Sequence, residues 1–283
     1  MGRKEKGALL AIVSLNPLNM VLRIWQFRSL LYQLIRRELT QRYRSSFLGM
    51  LWSFFTPILM LCIYTVVFSV IFKSRWRHEL QDPPMGEFAL TLFAGLTSFT
   101  VFAETFSRAP GAIVSVPSYV KKVVFPLELL PLVILGSALI NSLICVGIII
   151  VAAAILFKTV SATIFLLPLV YIPLILFSAG VAWFLASLGV FIRDIDQATA
   201  IVAQILLYIS PVFYTGSTLP DWLQVVMFFN PMTVILSGFR QTLLWGEGLD
   251  WVAWSIWTAL GAIVAWGGLA WFLKTKKGFA DVI

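Results

Sequence analysis

Residues able to do chemistry are few in this chain, and they are scattered. A single histidine, His78, stands in a polar loop with no second histidine near it. Cys62 and Cys145 each lie inside an apolar run, which argues against a disulfide framework or a zinc cluster. The acidic groups are spread as Glu104, Glu128, Asp194 and Asp196 in one set of loops, and Asp221, Glu247 and Asp250 in the other. Asp194 and Asp196 alone are too few ligands for a hard cation. No G-x-x-x-x-G-K-[ST] phosphate cradle occurs in these 283 residues. What the chain does concentrate is arginine: Arg36, Arg37, Arg42 and Arg44. Guanidinium forks match phosphate oxygens, so this cluster could meet an anionic headgroup. The plainer reading is an anchor on anionic lipid that fixes topology.

Aromatic side chains are the second resource, with 23 Phe, 11 Trp and 7 Tyr. Tyr64, Phe68 and Phe72 recur every four residues, on one helical face. With Trp52, Phe55, Phe213 and Tyr214 they are candidates to line a channel, because aromatic faces stack on sugar rings. The ordinary alternative is an interfacial belt for Trp and Tyr, with Phe facing lipid or core.

The elements that must position these residues follow from composition. The chain is 60% hydrophobic and only 12% charged, with a mean hydropathy of +0.92. Soluble domains carry about 25% charged residues, so a cytosolic enzyme, a secreted domain and a disordered tail are all disfavoured. The composition predicts an all-α polytopic membrane protein. Apolar runs at 48–72, 87–107, 129–157, 162–191, 198–214 and 251–273 predict six transmembrane helices, the fifth shorter than the rest. The stretch 219–245 is apolar but broken at Asn230-Pro231. Neither piece is long enough to span, so a re-entrant helix pair is expected.

Basic residues then orient the chain. One set of loops carries 16 of the 21 Lys and Arg, and the other only Lys73, Arg75, Arg77, Lys158 and Arg240. The positive-inside rule puts the first set, and both termini, in the cytoplasm, with the 219–245 hairpin facing outward. The net charge of +8 is thereby read as a topology signal, not as a nucleic-acid surface. Arg3–Lys6 followed by an apolar stretch superficially resembles a signal peptide, but no A-x-A-like site follows, and none is expected. No internal repeat suggests an inverted-repeat secondary transporter.

Residues 26–46 predict an amphipathic interface helix. Phe27, Leu30, Leu31, Leu34, Ile35 and Leu39 form its apolar stripe, and arginines crowd the other positions. The loop 108–128 holds Pro110, Gly111 and Pro117, which forbid one continuous helix. It is either a plain cytoplasmic loop or a docking element for a partner. Glu104, four residues before Arg108, suggests a local ion pair. Asp196 suits the N-cap of the fifth helix.

Several of these segments are familiar in order. The run Leu34-Ile35-Arg36-Arg37-Glu38-Leu39-Thr40-Gln41-Arg42-Tyr43-Arg44-Ser45-Ser46-Phe47-Leu48-Gly49-Met50-Leu51-Trp52, continuing to Thr56-Pro57, resembles the opening of polysaccharide-export ABC transporter permeases. These are the membrane subunits of O-antigen and teichoic acid exporters, within the type-2 ABC exporter superfamily. The resemblance continues at Lys121-Lys122-Val123-Val124-Phe125-Pro126-Leu127-Glu128, Arg193-Asp194-Ile195 and Ser210-Pro211-Val212-Phe213-Tyr214. It continues again at Phe229-Asn230-Pro231-Met232, at Phe239-Arg240 and at Gly278-Phe279-Ala280-Asp281-Val282-Ile283.

The resemblance implies a homodimer in the cytoplasmic (inner) membrane, joined to a separate ABC ATP-binding subunit. That partner would bind ATP and Mg, and this chain would hold no cofactor or metal of its own. A lipid-linked polysaccharide, such as O-antigen on a polyprenyl pyrophosphate, would enter near the interface helix and be steered by Arg36, Arg37, Arg42 and Arg44. Ser107, Arg108, Ala109, Pro110 and Gly111 would couple to the ATPase. Pro220, Asn230, Pro231 and Arg240 would belong to an external gate. Two departures stand out: residues 1–25 form an extension without family signal, and Leu127 replaces an expected polar or basic residue. The chain thus divides into that extension, the 26–46 helix and a transmembrane domain over 47–283. Alternative functions are a drug or small-lipid exporter of the same superfamily, a membrane-embedded transferase acting on polyprenyl-linked glycans, and a scaffold.

Overall fold

The computed structural model describes residues 22, 24–44, 46–76, 86–121, 125–158, 161–214 and 220–283. Regular structure among them is helical, with no strand. His78, Lys122 and the extension up to residue 21 lie outside the described residues.

The interface helix, α1, runs Arg28–Tyr43. Phe27, Leu30, Leu31, Leu34, Ile35 and Leu39 are half-buried while the arginines around them are exposed. The apolar stripe read from the sequence is therefore the packed face. It rests on the start of a later span, where Ile35 lies so close to Gly136 that a Cβ there would come within 2.3 Å of it.

Among the described residues five helices are long and apolar enough to cross a membrane: α2 (Gly49–Ile71), α3 (Glu87–Arg108), α6 (Leu129–Phe157), α7 (Ala162–Phe191) and the last, Trp251–Val282. The last comprises α11 (Trp251–Thr275) and a terminal turn, α12 (Phe279–Val282). Each falls on a predicted run. The fifth predicted run forms α8, Ile195–Ile209, of 15 residues. At 1.5 Å per residue it reaches about 22 Å, short of a full ~30 Å crossing. Its N-terminus differs from expectation. Asp196 lies in the first turn, and Asp194 holds the cap position without a side-chain hydrogen bond.

Packing is uneven across the bundle. α3 is the central helix, with an almost wholly buried upper half, whereas Ser53 is the one buried residue of α2. The first span is thus an apolar rod on the outside of the bundle. It carries Pro57 and relaxes from Thr65 to Ile71 into i→i+5 hydrogen bonding. There Thr65 also back-bonds to the Leu61 carbonyl at 2.8 Å, a polar competitor for the helix ladder. α7 and α11 make the closest pair. A Cβ on Gly268 would lie 2.0 Å from the Gly180 carbonyl oxygen, so small residues let two backbones touch.

The hairpin expected around Asn230-Pro231 is present as α9 (Asp221–Phe228) and α10 (Pro231–Arg240), the latter prolonged by a π turn over Gln241–Trp245. The break is where the sequence put it. The Asn230 side chain accepts from the Met232 N–H at 2.9 Å, and Pro231 takes the first helical position.

Candidate functional site

Two ends of the bundle carry different chemistry. At one end gather α1, the last turn of α3, the short helices α4 (Gly111–Val114) and α5 (Pro117–Lys121), the start of α6, the start of α8 and the C-terminal turn. This is the basic end.

Its arginines divide into two groups. Arg36, Arg37 and Arg44 lie with Gln33, Thr40 and Gln41 along a shallow open groove. The spacing 33, 36, 37, 40, 41, 44 is one exposed helical stripe. Arg37 also donates to the Tyr119 hydroxyl at 3.1 Å. Arg42 sits off that stripe and pairs with Glu104. Glu104 also holds Arg108 at 2.8 Å, and Arg108 reaches Glu38. The chain Glu38–Arg108–Glu104–Arg42 fastens the interface helix to α3. Sequence spacing gave the Glu104–Arg108 pair but missed Glu38. The available signal was a carboxylate four residues after Leu34, on the packed stripe.

The turn between α3 and α4 is tightly embedded. Ala109 is fully buried, and a Cβ on Gly189 would meet the Pro110 carbonyl oxygen at 2.2 Å. The Thr199 hydroxyl donates to the Ser107 carbonyl at 3.4 Å. Among the described residues of the broken loop, Ser115, Pro117 and Ser118 are the exposed ones. Beside it a cleft of about 450 Å³ is bordered by Glu38, Arg108, Gly111, Ser115 and Asp196. Behind it Glu128, only 2% exposed, receives Lys276 at 2.9 Å, and Phe279 is fully buried. The C-terminal turn thus braces this end.

At the other end Arg240 is 3% exposed. It donates to the carbonyls of Thr91 (3.2 Å), Pro211 (2.8 Å) and Val212 (2.9 Å), and its guanidinium lies 4.3 Å from the centre of the Trp76 ring. It pins the hairpin to α3, to the end of α8 and to the segment after the first span. The Asn230 amide adds a bond to Ser210 at 3.0 Å, and Pro220 precedes the first turn of α9. The residues at the hairpin's corners thus converge, although no spacing revealed Thr91 or Trp76 as partners.

The aromatic candidates do not form one surface within the chain. Tyr64 and Phe68 turn onto α3, against Phe93 (6.4 Å) and Phe88 (5.1 Å). Trp52, Phe55 and Phe72 are exposed on the first span. Phe213 stacks on Tyr208 at 5.9 Å, and the Tyr214 hydroxyl donates to the Tyr208 carbonyl at 2.7 Å, closing the end of α8.

The family model of ABC-2 type transporters matches residues 29–244, from the interface helix to the end of the α9–α10 hairpin. The chain belongs to the ABC-2 type transporter family. The relatives of this transporter include an O-antigen export system permease protein RfbA of Myxococcus xanthus, 25% identical over 268 residues that cover 94% of this chain and all of that one. A protein of the same description from Klebsiella pneumoniae is 26% identical over 255 residues, covering 90% of this chain and 95% of the relative. A daunorubicin resistance permease, DrrB1 of Streptomyces coeruleorubidus, is 31% identical over 84 residues, or 27% of this chain. No group of three or more His, Cys, Asp or Glu among the described residues is placed to hold a metal ion.

Proposed function

We propose that this chain is the permease subunit of an ATP-driven exporter that moves a lipid-linked polysaccharide, of the O-antigen class, across the cytoplasmic membrane. The observation that carries the reading is the arginine stripe Arg36, Arg37 and Arg44, exposed on a helix laid against the basic end of an apolar bundle. Three guanidinium groups at the membrane surface suit a lipid pyrophosphate. The names of the relatives that span nine-tenths or more of the chain support a polysaccharide cargo. The drug-exporter similarity covers about a quarter of it.

In this reading the basic end is cytoplasmic, and two copies enclose the path. The exposed first span, with Trp52, Phe55 and Phe72, faces the second copy or the cargo. A separate ATP-binding subunit docks on Ser115, Pro117 and Ser118, and its thrust passes through Pro110 and Ala109 into α7. The hairpin pinned by Arg240 closes the outer end. Pull-down of the tagged chain from its native membrane, with mass spectrometry and an ATPase assay, tests this. A stoichiometric partner with a Walker A motif and ATPase stimulated by lipid-linked glycan is expected. A lone oligomer without ATPase from a gentle preparation refutes it.

A further inference from the structure

Between α2, α3 and α6 lies a cavity of about 280 Å³. The rings of Tyr64 and Phe93 border it, as do Thr97, Thr100, Asn141 and, at the basic end, Glu104. The hydroxyls of Thr97 and Thr100 donate to helix carbonyls at 2.8 and 2.6 Å, and Thr97 also meets the Cys145 thiol. Asn141 differs. Its Oδ1 is buried and has no hydrogen-bond partner among the described residues. A buried carbonyl oxygen left unpaired inside a transmembrane bundle is costly.

We propose that this cavity binds a sugar ring of the lipid-linked glycan, the one next to the pyrophosphate, with the Asn141 amide as its anchor. The inference rests on the export reading above. Three features of the lining select that ligand. A prenyl tail would leave the amide unsatisfied. A phosphate would find no Lys or Arg on the lining. A neutral ring with hydroxyl groups satisfies both and lies against the aromatic faces of Tyr64 and Phe93. The volume sits at the small end of ligand pockets, so it suits one ring and not a polymer. Position agrees with chemistry, because Glu104 on the cavity wall pairs with Arg42 of α1, the helix that also carries the stripe of Arg36, Arg37 and Arg44. A pyrophosphate held on that helix would present its first sugar here.

The test uses the full chain with its ATPase partner in nanodiscs. The probes are a short-chain prenyl pyrophosphate alone, and the same lipid bearing one hexose, one N-acetylhexosamine or one deoxyhexose. At least one sugar-bearing probe should bind about five- to tenfold more tightly than the bare lipid, the yield of one or two hydrogen bonds. Asn141→Leu should erase that increment, leave affinity for the bare lipid unchanged, and leave the thermal midpoint of the unliganded complex the same or higher. The proposal is overturned if no sugar improves binding, if Asn141→Leu keeps the increment, or if that variant loses stability outright, which would make the amide structural. If none of the pyrophosphates binds or stimulates the ATPase, the export reading itself falls.

Discussion

Arg240 offers the sharpest test of how the outer hairpin is held. Its guanidinium makes three bonds to carbonyls on two other elements, and Gly95 leaves the space it occupies: a Cβ built at Gly95 would lie 2.5 Å from Nη2. Gly95→Ala must therefore displace that nitrogen and break at least its 2.9 Å bond to the Val212 carbonyl. Hydrogen bonds from a charged group are worth roughly 1.5–3 kcal/mol. Arg240→Leu removes all three and the contact with Trp76, but it also relieves the desolvation of a buried cation. A net loss of about 3 kcal/mol follows. At about 2–4 °C per kcal/mol, Gly95→Ala should lower the thermal midpoint in detergent by about 5 °C. The decisive measurement is the double-mutant cycle. In the Arg240→Leu background the extra methyl no longer meets a guanidinium, so Gly95→Ala should cost under about 0.5 kcal/mol there. Equal cost in both backgrounds would refute the pin and leave Gly95 as an ordinary packing position.

Arg36→Gln and Arg44→Gln should weaken binding of a prenyl pyrophosphate and flatten its salt dependence, with stability changed by no more than about 0.5 kcal/mol. Arg42→Gln should instead cost about 1 kcal/mol of stability by opening its pair with Glu104; a reversed pattern in a parallel melt and titration would contradict the division of the arginines. Gly268→Ala should destabilise the protein by about 1–3 kcal/mol, because its Cβ falls 2.0 Å from the Gly180 carbonyl oxygen; an unchanged melt would mean that α7 and α11 are further apart. Gly189→Ala pushes on the Pro110 carbonyl and should lower substrate stimulation of the ATPase while the partner stays bound, read by co-purification and turnover together.

Much of this architecture was legible because a bilayer reduces the problem. Every backbone polar group in the hydrocarbon must be satisfied within its own helix, so hydropathy and length located the five long spans. Charge asymmetry sorted the loops into two ends for the same reason: ions remain at the surface. Local rules also carried far. Asn230-Pro231 broke the hairpin where a cap and an N1 proline must stand, and the period of Phe27 to Leu39 fixed which face of α1 packs. Position along the chain could not say which polar groups meet across it. Arg42 and Arg44 read alike, yet only packing sends one to Glu104 and leaves the other on the exposed stripe. Asp196 read as a cap, but the cap position fell two residues earlier, at Asp194. Thr91, Trp76 and Gly95 become the seat of Arg240, and Asn141 becomes an unpaired amide, only when α3 lies beside the hairpin and α6. These are contacts between residues dozens of positions apart, set by helix rotation and depth. Those two variables leave little period in the long spans, which are apolar over most of their surface.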